Sequence, residues 1–167
     1  MKKLYIIGGT MGVGKTTTCM LLKDMLPACA FLDGDWCWCM HPFQVTEETK
    51  RMVVDNIAHL LNSFLRCSAF ENVVFCWVMH EQSIIDDILA RLEGAFEPVC
   101  VSLVCTERAL RERLEKDVAA GVRTEDVIER SAARIALYEK LNTIKLDVSD
   151  ISPRRAAETL MNIDRED

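Results

Sequence analysis

Eight consecutive residues near the start of the chain, Gly9-Thr10-Met11-Gly12-Val13-Gly14-Lys15-Thr16, have the types and the spacing to wrap an anion. Glycines let successive main-chain N–H groups turn inward, and a helix starting directly behind them adds its positive end. Gly, four residues, Gly, Lys and then Ser or Thr is the spacing that brings a lysine to the β and γ phosphates of a nucleoside triphosphate and a hydroxyl to Mg²⁺. Lys15 and Thr16 occupy those two places, with Thr17 next. Residues 9–17 are therefore expected to hold ATP, with Thr16 on the Mg²⁺ that neutralises charge during transfer.

Such a loop works only between a strand and a helix, and the flanking sequence supplies both. Leu4 to Ile7 is a short apolar run that Gly8-Gly9 stops, the pattern of a buried central strand. From Lys15, the residues Met20, Leu21, Leu22, Met25 and Leu26 keep helical spacing up to Pro27. Further strands are expected at 30–32, 73–78, 99–104 and 143–146. Helices are expected after caps at Thr46, Thr106, Thr124 and Ser152, the last followed by Pro153. The stripe Val53, Val54, Ile57, Leu60, Leu61, Phe64 and Leu65 makes the helix after Thr46 long and one-sided. Five buried strands interleaved with helices predict a five-stranded parallel sheet covered on both faces, with ligands at the carboxyl ends of its strands. Two segments, 36–66 and 115–142, exceed ordinary crossovers and are expected to cover the site within one domain spanning 1–167.

With these residues in place, the whole chain resembles the small P-loop kinases, a group that includes shikimate, gluconate and adenylylsulfate kinases, chloramphenicol phosphotransferase and the nucleoside monophosphate kinases. That resemblance implies the strand order 2-3-1-4-5, a helical acceptor-side cover over 36–66 and a lid over 115–142. Leu32-Asp33-Gly34-Asp35 is similar to the acidic turn that handles the acceptor hydroxyl in this group, which implies an acceptor-side role for Asp35 and a place for Asp33 in the water shell of Mg²⁺. A carboxylate at Asp35 can take the hydroxyl proton or orient the oxygen for in-line attack. Arg134-x-x-x-Tyr138 resembles the lid-helix arginine that faces donor phosphates or an acidic acceptor. Arg123 resembles a mobile arginine that closes over the γ phosphate. Arg111, Arg113, Arg130 and, by its residue type alone, Arg123 read as a solvated helix face. The stretch 147–153, together with the Arg111 to Arg113 region, resembles the turn that borders adenine. The activity implied is transfer of the γ-phosphoryl group of ATP to a hydroxyl of a small molecule, in a monomer or homodimer.

Composition narrows the partners. The 167 residues carry 20 Lys and Arg against 26 Asp and Glu, a net charge of −6, so no basic field calls for nucleic acid or an anionic membrane. No uncharged apolar run approaches the roughly 20 residues of a membrane span. Eight cysteines in a chain whose Met1-Lys2-Lys3 leads straight into a strand predict free thiols and a cytoplasmic location. The spacing Cys37-x-Cys39 with His41 lacks a second ligand pair and reads as thiols rather than zinc ligands. Strand three ends Cys76-Trp77-Val78-Met79-His80 with no carboxylate for metal, and His80 reads equally as an acceptor contact or a plain strand terminus. Trp36 and Trp38 suggest an apolar wall near the acidic turn, or simply packing of the cover. Lys50, Arg51 and Arg66 are the only cations of the cover, which favours a neutral acceptor over a strongly acidic one. A slow nucleotide-binding regulatory module is the alternative reading. No Asn-Lys-x-Asp sequence marks a guanine switch.

Overall fold

In the computed structural model, which describes residues 1–163, the first strand β1 (Lys2–Gly8) forms the centre of the sheet. Its side chains alternate between two apolar layers: Leu4 and Ile6 point to one, Tyr5 and Ile7 to the other, and all four are buried. The remaining strands are β2 (Cys29–Asp33), β3 (Asn72–Cys76), β4 (Phe96–Val104) and β5 (Ile144–Asp147). All pair in parallel in the order β2-β3-β1-β4-β5. Parallel neighbours require crossovers, and helices supply them on both faces.

On one face lie α1 (Lys15–Met25), α4 (Glu107–Ala119) and α6 (Pro153–Asn162). Leu22 and Cys19 of α1, Leu110 and Leu114 of α4, and Ala156, Ala157 and Leu160 of α6 bury against Tyr5, Ile7, Val74 and Val101. On the other face α2 (Glu47–Arg66) and α3 (Gln82–Ala90) bury Val53, Ile57, Leu61, Ile85 and Ile88 against Leu4, Ile6, Val73 and Phe75. Helix α5 (Asp126–Glu139) sends Val127 into the first layer and Tyr138 into the second, so it straddles the end of the sheet.

The expected caps hold at three of four helices. Thr46 and Thr49 form a reciprocal capping box, Thr106 accepts from the Ala109 N–H, and Ser152 accepts from the Arg155 N–H ahead of Pro153. Thr124 does not cap: its hydroxyl donates to the Asp126 carboxylate, and α5 starts from Glu125, which already has helical dihedrals and no side-chain cap. Strand boundaries shift as well. The third strand leaves the ladder after Cys76, because its outer partner β2 ends opposite at Asp33. The fourth extends back to Phe96. It tolerates Pro98 because β5 pairs only with Val101 to Val104, which leaves the first half of β4 at an open edge. Met20 and Leu60, placed on apolar stripes by spacing, are 40% and 37% exposed. Among the described residues, no helix is long and apolar enough to cross a membrane.

Candidate active site at the carboxyl ends of the strands

The glycine loop leaves β1 and is fixed from behind by packing. Gly12 has φ +86°, and a Cβ there would run into Leu114 of α4, so only glycine lets the loop lie this close to the helix. Thr10 donates its hydroxyl to the Ser131 carbonyl at 2.9 Å, tying the loop to α5. The N-terminus of α1 that follows is open. Its N-cap is Gly14, no side chain caps it, and its first turn holds no acid. Amides that would otherwise stay unsatisfied face the cleft with the positive end of the helix behind them.

Lys15 reaches back across the loop and donates to the Thr10 carbonyl at 3.0 Å. Burial lowers the pKa of its ammonium group, while Cys76, Asp35 and Asp33 beside it push the other way. Thr16 and Asp33 form a joined pair: the Thr16 hydroxyl donates to Asp33 Oδ2 at 2.7 Å. The other oxygen of Asp33 accepts the Asp35 N–H at 3.0 Å, which caps the short 3₁₀ turn Gly34–Trp38 and aims Asp35 across the cleft. A second anchor comes from just beyond β3, where Trp77 Nε1 donates to Asp35 Oδ1 at 3.2 Å. The indole lies so close to the turn that a Cβ on Gly34 would sit 2.5 Å from Trp77 Cγ. Glycine at 34 is the residue that admits the ring.

These groups line one cleft of about 260 Å³. Met11, Gly12, Gly14, Lys15, Thr16 and Thr17 form one wall, Asp33, Asp35 and Val78 another, and Arg113, Asp117 and Arg123 a third. The structure thus brings together the glycine loop, Lys15, both aspartates and Arg123. Arg123 is held at the rim by Asp117 at 3.0 Å.

Arg134 does not line this cleft. It stands half-buried on α5, near enough to His80 and Tyr138 for its charge to act on both. It makes no hydrogen bond or ion pair among the described residues. His80 Nδ1 and the Tyr138 hydroxyl are buried and unpartnered there, and Glu81, which precedes α3 without capping it, holds its carboxylate 3.5 Å from His80 Nε2.

Three contributors escaped the sequence. Arg113, expected on a solvated helix face, instead donates to the Val13 carbonyl at 3.1 Å and to the carbonyls of Val148 and Ser149, clamping the glycine loop to the turn expected beside a base. Asp117 holds Arg123, and Trp77 holds Asp35. None carries a local signal, because each acts through a neighbour 6 to 100 positions away. Arg111 and Arg130 do form a solvated face, in ion pairs with Glu107 and Glu129 and with Asp126. The eight cysteines are all free, and the described residues contain no cluster of three or more His, Cys, Asp or Glu arranged for a metal.

Burial, and then the charge of Arg134, hold the His80 imidazole below its ordinary pKa of 6.5. The unfolded chain therefore takes up that proton more readily than the folded one. The stability contributed by neutral His80 is complete above pH 6.5 and is lost as pH falls from there through the folded pKa. Thermal midpoints measured from pH 7.5 downward should decline over that window, and His80→Gln should flatten the decline. An unchanged slope in the variant would mean that other groups set it.

A family model described as an AAA domain matches residues 6–136. No curated protein sequence matches the chain. Among solved structures, the tunicamycin resistance protein of Deinococcus radiodurans superposes with a TM-score of 0.68 at 15% identity, covering 99% of this chain and 96% of that one. A gluconokinase from Sinorhizobium meliloti 1021 gives 0.68 at 18% identity, with 98% and 94% covered. Shikimate kinase from Acinetobacter baumannii, in complex with shikimate, gives 0.60 at 17% identity, with 99% and 94% covered. The fold is that of the small P-loop kinases, with the strand order 2-3-1-4-5 expected from the resemblance. With the matched region running from the end of the central strand through the glycine loop into α5, the chain belongs to the AAA domain family.

Proposed function

We propose that the protein transfers the γ-phosphoryl group of ATP to a hydroxyl of a small molecule. The observation that carries this reading is the open N-terminus of α1, ringed by the glycine loop and Lys15 and faced across one cleft by Asp35. The α1 amides and Lys15 hold the donor phosphates, and Lys15 neutralises charge that builds on them as the phosphoryl group leaves. Asp35 orients the acceptor hydroxyl and receives its proton, from a position fixed by Asp33 and Trp77. Arg123, released from Asp117, can swing over the transferred group and exclude water. Arg134 faces the acceptor or the donor phosphates once the lid-side segment 115–142 closes toward the cover 36–66.

The donor set fits Mg²⁺. It offers a hydroxyl and a carboxylate in direct contact, both hard oxygen donors, and this ion is usually held by one or two carboxylates plus phosphates and water. Thr16 would hold it directly and Asp33 through its water shell. When bound there, the ion would supply positive charge against the charge that develops on the phosphates. The free thiols fit a reducing compartment such as the cytoplasm.

The test is incubation with γ-labelled ATP, Mg²⁺ and a panel of alcohols. Label is expected in an organic phosphate. The absence of a carboxylate at the end of β3 favours one rival, a regulatory module that hydrolyses ATP slowly. Label found only in inorganic phosphate, whatever alcohol is supplied, would select it.

A further inference from the structure

A row of aromatic rings starts at Asp35 and runs outward over the cover. Trp77, 7% exposed, holds the Asp35 carboxylate through its indole N–H. Trp38 meets Trp77 edge to face at 5.6 Å between ring centres, and Phe43 meets Trp38 the same way at 5.1 Å. The inner end is buried and the outer end is bare: Phe43 is 59% exposed and Val45 beside it 55%. The turn that carries Trp38 is fixed, since Cys37 is buried and its carbonyl accepts from Asn56 of α2 at 2.9 Å. Trp36 is not part of the row. It turns to the opposite side of β2 and packs on Phe31 at 5.4 Å.

Of the three cations in 36–66, Lys50 is paired with Glu47 at 2.9 Å and Arg66 with Glu93 at 3.5 Å, while Arg51 stands exposed on α2 within reach of Glu47. An acceptor whose hydroxyl sits at Asp35 lies beside the inner end of this aromatic row, at Trp77. A fully hydroxylated substrate would lose hydration there without gaining partners. A ring on the substrate would instead extend the edge-to-face series.

Resting on the kinase reading above, we infer that the acceptor is an uncharged alcohol bearing an aromatic ring close to its reactive hydroxyl, the ring lying against Trp38 and Phe43. This goes further than the neutrality expected from the sequence, because it sets a polyol or simple sugar below an aryl alcohol.

Saturation-transfer NMR on the full chain, with Mg²⁺ and a non-hydrolysable ATP analogue, can rank 1-phenyl-1,2-ethanediol, 1-cyclohexyl-1,2-ethanediol and erythritol. The phenyl diol should bind about fivefold more tightly than erythritol, and more tightly than the cyclohexyl diol, with saturation concentrated on its ring protons. Phe43→Ser should weaken the phenyl diol about fivefold and leave erythritol unchanged. Phe43 is exposed, so this variant should fold, and thermal melting verifies it. Trp38→Leu should act in the same direction. Equal binding of erythritol, preference for the cyclohexyl diol, indifference to Phe43→Ser, or no diol binding at all would each overturn the inference. Calorimetry with Mg-ATP on the same sample separates the two levels. Heat with no aryl preference removes only the acceptor class, and no heat removes the kinase reading together with it.

Discussion

Replacing Lys15 with methionine is expected to lower phosphoryl transfer about a thousandfold, the scale on which a positioned group that stabilises developing charge contributes. Methionine keeps most of the length and apolar stem of the lysine and removes only the charge and its donors. In the absence of nucleotide that charge is poorly accommodated. It is partly buried, its protein hydrogen bond goes to the Thr10 carbonyl, and burial outweighs the nearby groups in setting its pKa. Losing it should therefore leave the melting temperature unchanged or raise it slightly, while affinity for Mg-ATP falls. A residue kept for the fold would show the reverse, a lower melting point with transfer intact. Lys15→Arg is not a conservative rescue, because a planar guanidinium cannot take the compact place between the loop carbonyl and two carboxylates. Single-turnover transfer from labelled ATP, with a thermal melt of each variant, measures both quantities. A methionine variant that transfers within tenfold of wild type would remove Lys15 from its assigned place.

The parts of the site that the sequence showed are those whose chemistry is local. Gly9 to Thr16 is readable because backbone wrapping, lysine reach and helix start all depend on spacing along a few residues. The order of strands and helices is readable because burial on both faces leaves short apolar runs between caps. Asp33 and Asp35 are readable as an acidic turn whose tasks the family resemblance divides, though not the bonds that hold the division. That division depends on Thr16 taking one oxygen of Asp33 and the Asp35 amide the other. What stayed hidden acts over distance. The Trp77 indole reaches Asp35 across 42 positions, and Arg113 reaches Val13 across 100. No periodicity encodes such contacts. The two indoles of the Trp36-Cys37-Trp38 stretch look equivalent in sequence, yet a tight 3₁₀ turn sends them to opposite sides of β2. Thr124 shows the converse, a good local signal overridden when a nearby carboxylate takes its hydroxyl.

Asp35→Asn should lower kcat by a factor of about a hundred to a thousand, within the range removed with a general base. Asparagine preserves the shape, and its carbonyl can still accept the Trp77 N–H that Asp35 Oδ1 now takes at 3.2 Å. The main-chain bond from residue 35 to Asp33 is untouched. Melting temperature and Mg-ATP affinity should therefore stay near wild type. What is lost is the carboxylate oxygen not used by Trp77, the atom free to take the proton of an acceptor hydroxyl. Trp77→Phe dissects the same point from the other side. It leaves the carboxylate but removes its anchor, so the reacting oxygen is held less firmly, and kcat should fall by about tenfold, the cost of a modest misplacement or one hydrogen bond. Combining the two should give less than the product of the separate losses, because the anchor acts only through the carboxylate. Asp33→Asn should differ in kind, raising the Mg²⁺ concentration needed for half-maximal rate, since the oxygen on Thr16 loses its charge while the asparagine carbonyl can still accept the Asp35 N–H. An Asp35→Asn enzyme that turns over at the wild-type rate, or one that loses Mg-ATP binding in step with activity, would move the acceptor carboxylate elsewhere in the cleft.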